Sequence, residues 1–394
     1  MKYIFTRHKK ILFLCLGVIC ISLFFIFGPK AFSIHYFQNQ EGSVLESVAS
    51  STPLKVIFVP SYVSTPPIVK GIYMTSWTAS NKNVRNGLVK LIDDTELNTI
   101  VIDIKDYSGK IVFPITSPEL KAYGSEEIRI NDLQDFVESL HKKGIYVIGR
   151  IAVFQDAYFV KYRPDLAVKN KAGTVAWKDK KGISWIDPGS EEYWQYIALL
   201  SKEARKIGFD EINFDYIRFP SDGNMQDISY PYSSTTPKAV VLKNFFEYLH
   251  NELSDTGLKT SADLFGMTTT AKDDMGIGQL LENALPNFDF VDPMVYPSHY
   301  PPTFMGYKNP EQYPYEVVQF AMQSAVKRAV ELASTTGTTV AVLRPWLQDF
   351  GLTMHYGTKE VLAQIKATND VGLSSWTLWS ASNKYTTEAL EPGQ

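Results

Sequence analysis

Glu211-Ile212-Asn213-Phe214-Asp215 is a short strand-like run that ends in a carboxylate. Ile100-Val101-Ile102-Asp103, Ser261-Ala262-Asp263 and Phe290-Val291-Asp292 end in the same way. A strand that buries its body and presents an acid at its C-terminal end is the unit from which a (β/α)8 barrel builds its working face. Outward from these four runs the pattern keeps alternating. Strand-like stretches fall at 69–75, 98–104, 145–151, 209–216, 259–265, 288–296, 339–346 and 371–379, eight in all. Helical periods lie between them near 82–95, 131–143, 191–207, 238–254, 276–284, 311–333 and 357–368. In the second of these, Leu133, Phe136, Val137 and Leu140 recur at helical spacing, with Asn131 as expected N-cap and Gly144 beyond the end. The expected fold is therefore an α/β (β/α)8 TIM barrel. An open doubly wound sheet usually carries a Gly-rich first turn, and Tyr73-Met74-Thr75-Ser76-Trp77 is not one.

Side chains alternate along a strand, so parity sorts each run into two faces. Asp103 and Lys105, Arg150, Asp215, Asp263, and Asp292 with Tyr296 fall on the inner face. Arg344, Trp346 and Gln348 share one face of the seventh run, and Trp379 that of the eighth, with Trp376 replacing it if a bulge shifts the register. Trp77 joins them at the rim. Crowded carboxylates push one another's pKa values apart, one held ionised by a cation and another raised. Acids, cations and flat aromatic faces together point to acid/base chemistry on a polar substrate, with sugars the leading candidates. Blander readings stand beside these: Asp215 could pair with Arg218, Asp103 with Lys105 could form an internal ion pair, His299 could be simply exposed, and Trp177, Trp185 and Trp194 read first as packing.

The N-terminus reads as a targeting element. Ile11 to Gly28 is an apolar run interrupted only by Ser22 and preceded by Arg7-His8-Lys9-Lys10. That order keeps the basic tip cytoplasmic and sends the rest outward, and the length favours a retained transmembrane anchor over a cleaved signal. The expected organisation is a basic tip and transmembrane helix at 1–30, a Ser/Thr/Pro-rich tether at 31–67 and the barrel at 68–394, on the outer side of a cell membrane, or secreted if the anchor is cut. Both cysteines, Cys15 and Cys20, lie inside the apolar run, so the body is expected to work without disulfide, thiolate or thiolate-bound metal. The chain carries 39 Lys and Arg against 42 Asp and Glu; five of the cations and none of the acids lie in residues 1–30, leaving an acidic body. That balance argues against nucleic acid as a partner. The six histidines show no metal-binding spacing, and neither a Gly-x-Ser-x-Gly elbow nor a P-loop is present, so no metal or cofactor is expected. The long connection 152–190 contains a hairpin signal at Lys180-Lys181-Gly182 and is placed to shape a cleft.

Four motifs carry a family resemblance: Gly71-Ile72-Tyr73, Glu211 to Pro220, Ser261-Ala262-Asp263-Leu264-Phe265-Gly266, and Asp292 to Tyr300. They resemble a bacterial family known as putative glycoside hydrolases, over roughly residues 70–385, and that family looks like a distant relative of the α-amylase and α-galactosidase barrels. The resemblance implies a glycosidase acting on a polysaccharide or oligosaccharide, with Asp215 as nucleophile and either Asp292, the galactosidase-like position, or Asp263, the amylase-like one, as acid/base. Asp292 is the preferred acid/base, because the amylase-like acid is normally Glu. It implies substrate contacts from Trp77, Asp103, Lys105, Arg150, Arg218, Tyr296, His299, Arg344, Trp346, Gln348, Trp376 and Trp379. A retaining mechanism is the expectation, for which the two carboxyl groups stand about 5–5.5 Å apart. A carbohydrate-binding barrel without chemistry, or an envelope scaffold, is the alternative.

Overall fold

Eight apolar staves wrap into a closed parallel barrel because each has one face for the lumen and one for the helices. The computed structural model describes residues 58–393. The strands are β1 (Lys70–Met74), β2 (Thr99–Lys105), β3 (Tyr146–Ala152), β4 (Glu211–Asp215), β5 (Lys259–Phe265), β6 (Phe290–Met294), β7 (Val342–Leu343), β8 (Trp346–Gln348) and β9 (Trp376–Trp379). Neighbours pair in parallel around the ring, β5 closes onto β6, and β9 returns to β1. β7 and β8 are two halves of the seventh stave. The expected run 339–346 breaks at Arg344-Pro345, where proline has no N–H for the ladder.

Helices cover the outside at Lys82–Asp94, Leu133–His141, Glu191–Ile207, Lys238–Leu253, Pro314–Thr336 and Thr358–Asp370. Ile100, Ile102, Ile104, Ile212 and Phe214 face them and are buried. Each such side chain contributes about 1.5–3 kcal/mol on burial. A second, smaller cluster fills the lumen: Tyr73, Val101, Tyr146, Ile148, Tyr296 and Trp346. The parity assignment is thus correct along β2 as far as Asp103. The helix at 133–141 is capped by Asp132 rather than Asn131, and without a side-chain cap bond, because Arg85 takes both Asp132 oxygens at 2.8 Å. The helical period at 276–284 shrinks to Leu281–Ala284, since Met275, Gly276 and Gly278 all adopt positive φ.

Part of the stretch read as tether closes the bottom of the barrel. Val63 N donates to Asp210 (2.8 Å), the Tyr62 hydroxyl donates to the Arg205 carbonyl (2.9 Å), and the Arg205 guanidinium lies 3.3 Å from the Tyr62 ring centre. A hollow of about 550 Å³ at this end, lined by Lys70, Glu96, Asn98 and Glu391 among others, sits at the strands' N-terminal end, the face that serves stability. The apolar run 11–28, both cysteines and the tether up to residue 57 lie outside the described residues. Among the described residues no helix is long and apolar enough to cross a membrane.

Candidate active site

At the opposite, C-terminal end of the strands a cleft of about 350 Å³ opens, lined by Arg150, Lys181, Asp215, Tyr216, Arg218, Phe265, Met294, Tyr296, His299 and Trp379. Asp215 is the last residue of β4. Register sets Arg150 of β3 against Asn213 and against Asp103 of β2. Arg150 consequently reaches both acids: Nη1 donates to Asp103 at 2.6 Å and Nη2 donates to Asp215. Its Nε lies 3.9 Å from Asp263. One guanidinium thus bonds two carboxyl groups and faces a third with an Nε that has no hydrogen-bond partner among the described residues. Tyr73 donates its hydroxyl to Asp103 and stacks on Trp379 with ring centres 4.0 Å apart, and the Arg150 guanidinium lies 5.1 Å from the Trp379 ring.

A second layer lies beneath. Asp263 and Asp292 are in register on β5 and β6. Asp263 accepts from Trp346 Nε1 (2.7 Å) and Asn213 Nδ2 (2.8 Å). Asp292 is gripped by Arg344, from Nε at 3.1 Å and Nη2 at 2.6 Å, and the same Arg344 Nη2 donates to Glu211 at 2.5 Å. Burial, with the charges of Asp215 and Asp292 adding to it, raises the Asp263 carboxyl well above the usual range. Burial also pushes Asp292 up to about 7, with Arg344 pulling against it, and raises Asp103 against the pull of Arg150. Two neutral-leaning acids beside the Arg150-bound Asp215 make the divided pair that acid/base catalysis uses.

The backbone after Asp215 is strained. Tyr216 has φ +53°, a region that bulky L-residues seldom enter. The turn lets Tyr216 N donate to Asp215 Oδ1 (2.5 Å) and brings both Tyr216 and Arg218 to the cleft. Gly266 does a different job at the end of β5: a Cβ there would lie 2.3 Å from the Met294 carbonyl oxygen, so the close approach of β5 to the cleft end of β6 requires glycine.

Arg150, Asp215, Arg218, Tyr296, His299 and Trp379 line the cleft as the sequence places them, and Asp103 stands directly behind Arg150. Arg218 does not pair with Asp215; it donates to the Phe219 carbonyl and the Ser221 hydroxyl, both at 3.1 Å. Asp263, Asp292, Arg344, Trp346 and Gln348 lie inside the barrel, buried below the cleft. Gln348 accepts from Ser298 N (3.0 Å) and so steadies the loop that carries His299. Lys105 is not at the rim. The register slips between Asp103 and Lys105, which turns the lysine to the helix side, where it meets Asp156 at 2.8 Å, both fully buried. Trp77 is 63% exposed and lies outside the cleft, its ring 4.5 Å from the Arg129 guanidinium. Trp376 is buried among the core hydrophobics, so no bulge shifts β9 and Trp379 keeps the rim. Trp177, Trp185 and Trp194 are packing residues. The cleft residues not anticipated are Lys181, Tyr216 and Phe265; Met294 has the inner-face parity of Asp292 and Tyr296. Lys181 had a signal in its hairpin and Phe265 the parity of Ser261 and Asp263, whereas Tyr216 follows the end of β4 and nothing in its local sequence marks it.

Residues 71–385 match a family model described as "Putative glycosyl hydrolase domain". The chain belongs to this family. Every residue that lines the cleft lies within the matched span. Among solved structures, a hypothetical protein from Ruminiclostridium thermocellum ATCC 27405 is 33% identical, covering 49% of this chain and 96% of its own, with a TM-score of 0.45. The glycoside hydrolase domain of PgaB (BpsB) from Bordetella bronchiseptica is 14% identical, covering 83% of this chain and 100% of that domain, with a TM-score of 0.59. TtGalA, an α-galactosidase from Thermus thermophilus, is 14% identical over 82% of this chain and 60% of its own, with a TM-score of 0.49. The likeness to the PgaB domain shows a shared barrel fold. No curated protein matches the chain.

Proposed function

We propose that this chain hydrolyses glycosidic bonds in a cell-surface or environmental polysaccharide, with Asp215 as nucleophile and a buried acid as proton donor. The observation that carries the reading is Asp215 itself: a carboxylate at the C-terminal end of β4, facing a cleft with Trp379 and Tyr296, and held by Arg150 beside two carboxyls raised by burial. Asp263 and Asp292 compete for the donor role. Asp292 occupies the galactosidase-like position, but both its oxygens are engaged by Arg344. Asp263 shares the Arg150 guanidinium with Asp215, and that favours Asp263 as donor. Two acids on one guanidinium stand close together, which favours a retaining outcome. The basic tip and apolar run at residues 7–28 support an outward-facing, membrane-tethered enzyme.

The test is reducing-end release from a panel of bacterial cell-wall and exopolysaccharides by the parent and by Asp215→Asn, Asp263→Asn and Asp292→Asn, with NMR of the released anomer. Loss of hydrolysis in Asp215→Asn by about 10²–10⁴-fold is expected, and the donor variant loses activity least on substrates with a good leaving group. Equal release by parent and Asp215→Asn sinks the assignment. A second reading rests on the burial of both donor candidates, Asp263 at 1% and Asp292 at 2% exposure: a carbohydrate-binding barrel without turnover. Tight binding of a glycan that the parent leaves intact would favour it.

A further inference from the structure

The cleft carries more positive charge than its chemistry uses. Its ionisable lining holds Arg150, Lys181 and Arg218 against Asp215. Arg150 is already matched by Asp103 and Asp215. Lys181 and Arg218 form no ion pair among the described residues. Asp215, Asp222 and Asp179 act on Arg218 only from beyond ion-pair distance; Asp179 is held by Lys181 N (2.9 Å), Ile183 N (2.9 Å), Gln155 Nε2 (2.8 Å) and Trp185 Nε1 (3.0 Å), and Asp222 accepts from Lys180 N (3.2 Å).

Arg218 is also built rather than loose. Its guanidinium lies against the rings of Trp185 (5.0 Å) and Tyr216 (5.4 Å), which meet edge to face. Nη1 is spent on the Phe219 carbonyl and the Ser221 hydroxyl. Nε and Nη2, the side edge of the fork, have no partner among the described residues. Burial lowers the Arg218 pKa from its ordinary value. A cation partly stripped of water, held against two aromatic rings and within ion-pair distance of no carboxylate among the described residues, is costly in the free protein. It is recovered when an anion arrives. The strained turn at Tyr216 places this edge in the same cleft as Asp215, three residues away. Lys181, at the exposed tip of its hairpin, lines the same cleft.

We propose that the cleft takes an acidic glycan, one whose sugar beside the scissile bond is a uronic acid, with its carboxylate held by Arg218 through Nε and Nη2 and covered by Lys181. This rests on the glycosidase reading and names its substrate class. Two coplanar oxygens match the fork edge, which is the geometry that a guanidinium reads and an ammonium does not.

The experiment is calorimetric titration of the full chain in detergent, in an Asp215→Asn background that blocks turnover. The probes are hexuronic acid trisaccharides of several linkages, each with its carboxyl-reduced neutral counterpart, and a sulfated neutral trisaccharide. For at least one pair the acidic member binds about ten- to hundredfold tighter, the scale of a charge-assisted pair, and the ratio shrinks with added salt. Arg218→Gln in the same background brings the ratio close to one while neutral binding persists. Arg218→Lys restores it only in part, and Lys181→Ala, a change at an exposed tip, reduces it several-fold. No acidic preference in any pair overturns the proposal, as does preference for the sulfated sugar or a ratio that survives both Arg218→Gln and Lys181→Ala. If the ratio behaves as expected and the parent cleaves none of these glycans, the anion site stands and the glycosidase reading falls.

Discussion

Replacing Arg344 by Met strands two buried acids, and the consequence can be worked from the structure. Arg344 is 1% exposed, with Glu211 at 0% and Asp292 at 2% around it. The variant keeps the Tyr146 hydroxyl on Glu211 (3.1 Å) and Asn213 Nδ2 near Asp292 (3.4 Å), but loses the only cation within ion-pair distance of either acid among the described residues. Removing one partner of such a buried set costs about 3–5 kcal/mol. For a barrel of this size that lowers the melting temperature by about 4–7 °C. The sign of the pH effect follows from Asp292. Burial raises its folded pKa to about 7, so the folded protein keeps this proton where the unfolded chain has released it. Its contribution to stability falls as pH rises from the ordinary Asp range through about 7. Without Arg344 the downward pull is gone, and the fall is steeper and continues to higher pH. Urea unfolding followed by tryptophan fluorescence at pH 5 and pH 8 reads both effects: the gap between parent and variant is wider at pH 8. Adding Glu211→Gln and Asp292→Asn to Arg344→Met recovers most of the loss, because neutral amides need no cation. A loss under about 1 kcal/mol at pH 8, or one that is equal at both pH values, would refute the claim that these charges are desolvated and mutually dependent.

The proton donor must keep its proton, so kcat/KM on any substrate found falls on the alkaline side. A midpoint near 7 is expected if Asp292 is the donor, and the pH–rate profiles of the two Asn variants decide between it and Asp263: the alkaline limb is lost in the variant of the true donor. Trp379→Ala removes a half-buried face stacked on Tyr73 and is expected to raise KM about tenfold with a smaller effect on kcat, measured by steady-state kinetics. Gly266→Ala forces a Cβ against the Met294 carbonyl; a stability loss of about 1–3 kcal/mol should come with reduced kcat/KM, since Met294 lines the cleft. Lys105→Met breaks the buried pair with Asp156 and should cost about 3–5 kcal/mol in chemical denaturation, with kcat unchanged in whatever protein remains folded.

The strand ends were the readable part of this site. Asp215, Asp263, Asp292, Arg150 and Arg344 share the inner face because strand alternation is local and strict. Lys105 shows where that logic stops: one slip of register after Asp103 moves it from the lumen to the helix layer. Trp77 shows the same limit for loops. It follows β1 closely in sequence, yet the short helix Ser76–Ser80 carries it away from the cleft to the Arg129 side chain. Lys181 and Arg218 come from segments far apart in the chain, and no periodicity relates them.

From the sequence alone the architecture follows, because burying one face of each strand and one stripe of each helix is a nearest-neighbour constraint written into hydrophobic spacing. The inner-face placement of the four acids follows too, because strand alternation is local. Tertiary structure alone decides which acids share a guanidinium, which lie open to the cleft and which lie sealed beneath it. Those distinctions depend on distances between β2, β3, β4, β5 and β6, and a pKa or a catalytic role depends on such distances and on the water excluded between them. The cation edge of Arg218 is of the same kind: its lack of a partner among the described residues is a fact about where other residues are not, and only the folded chain can state it.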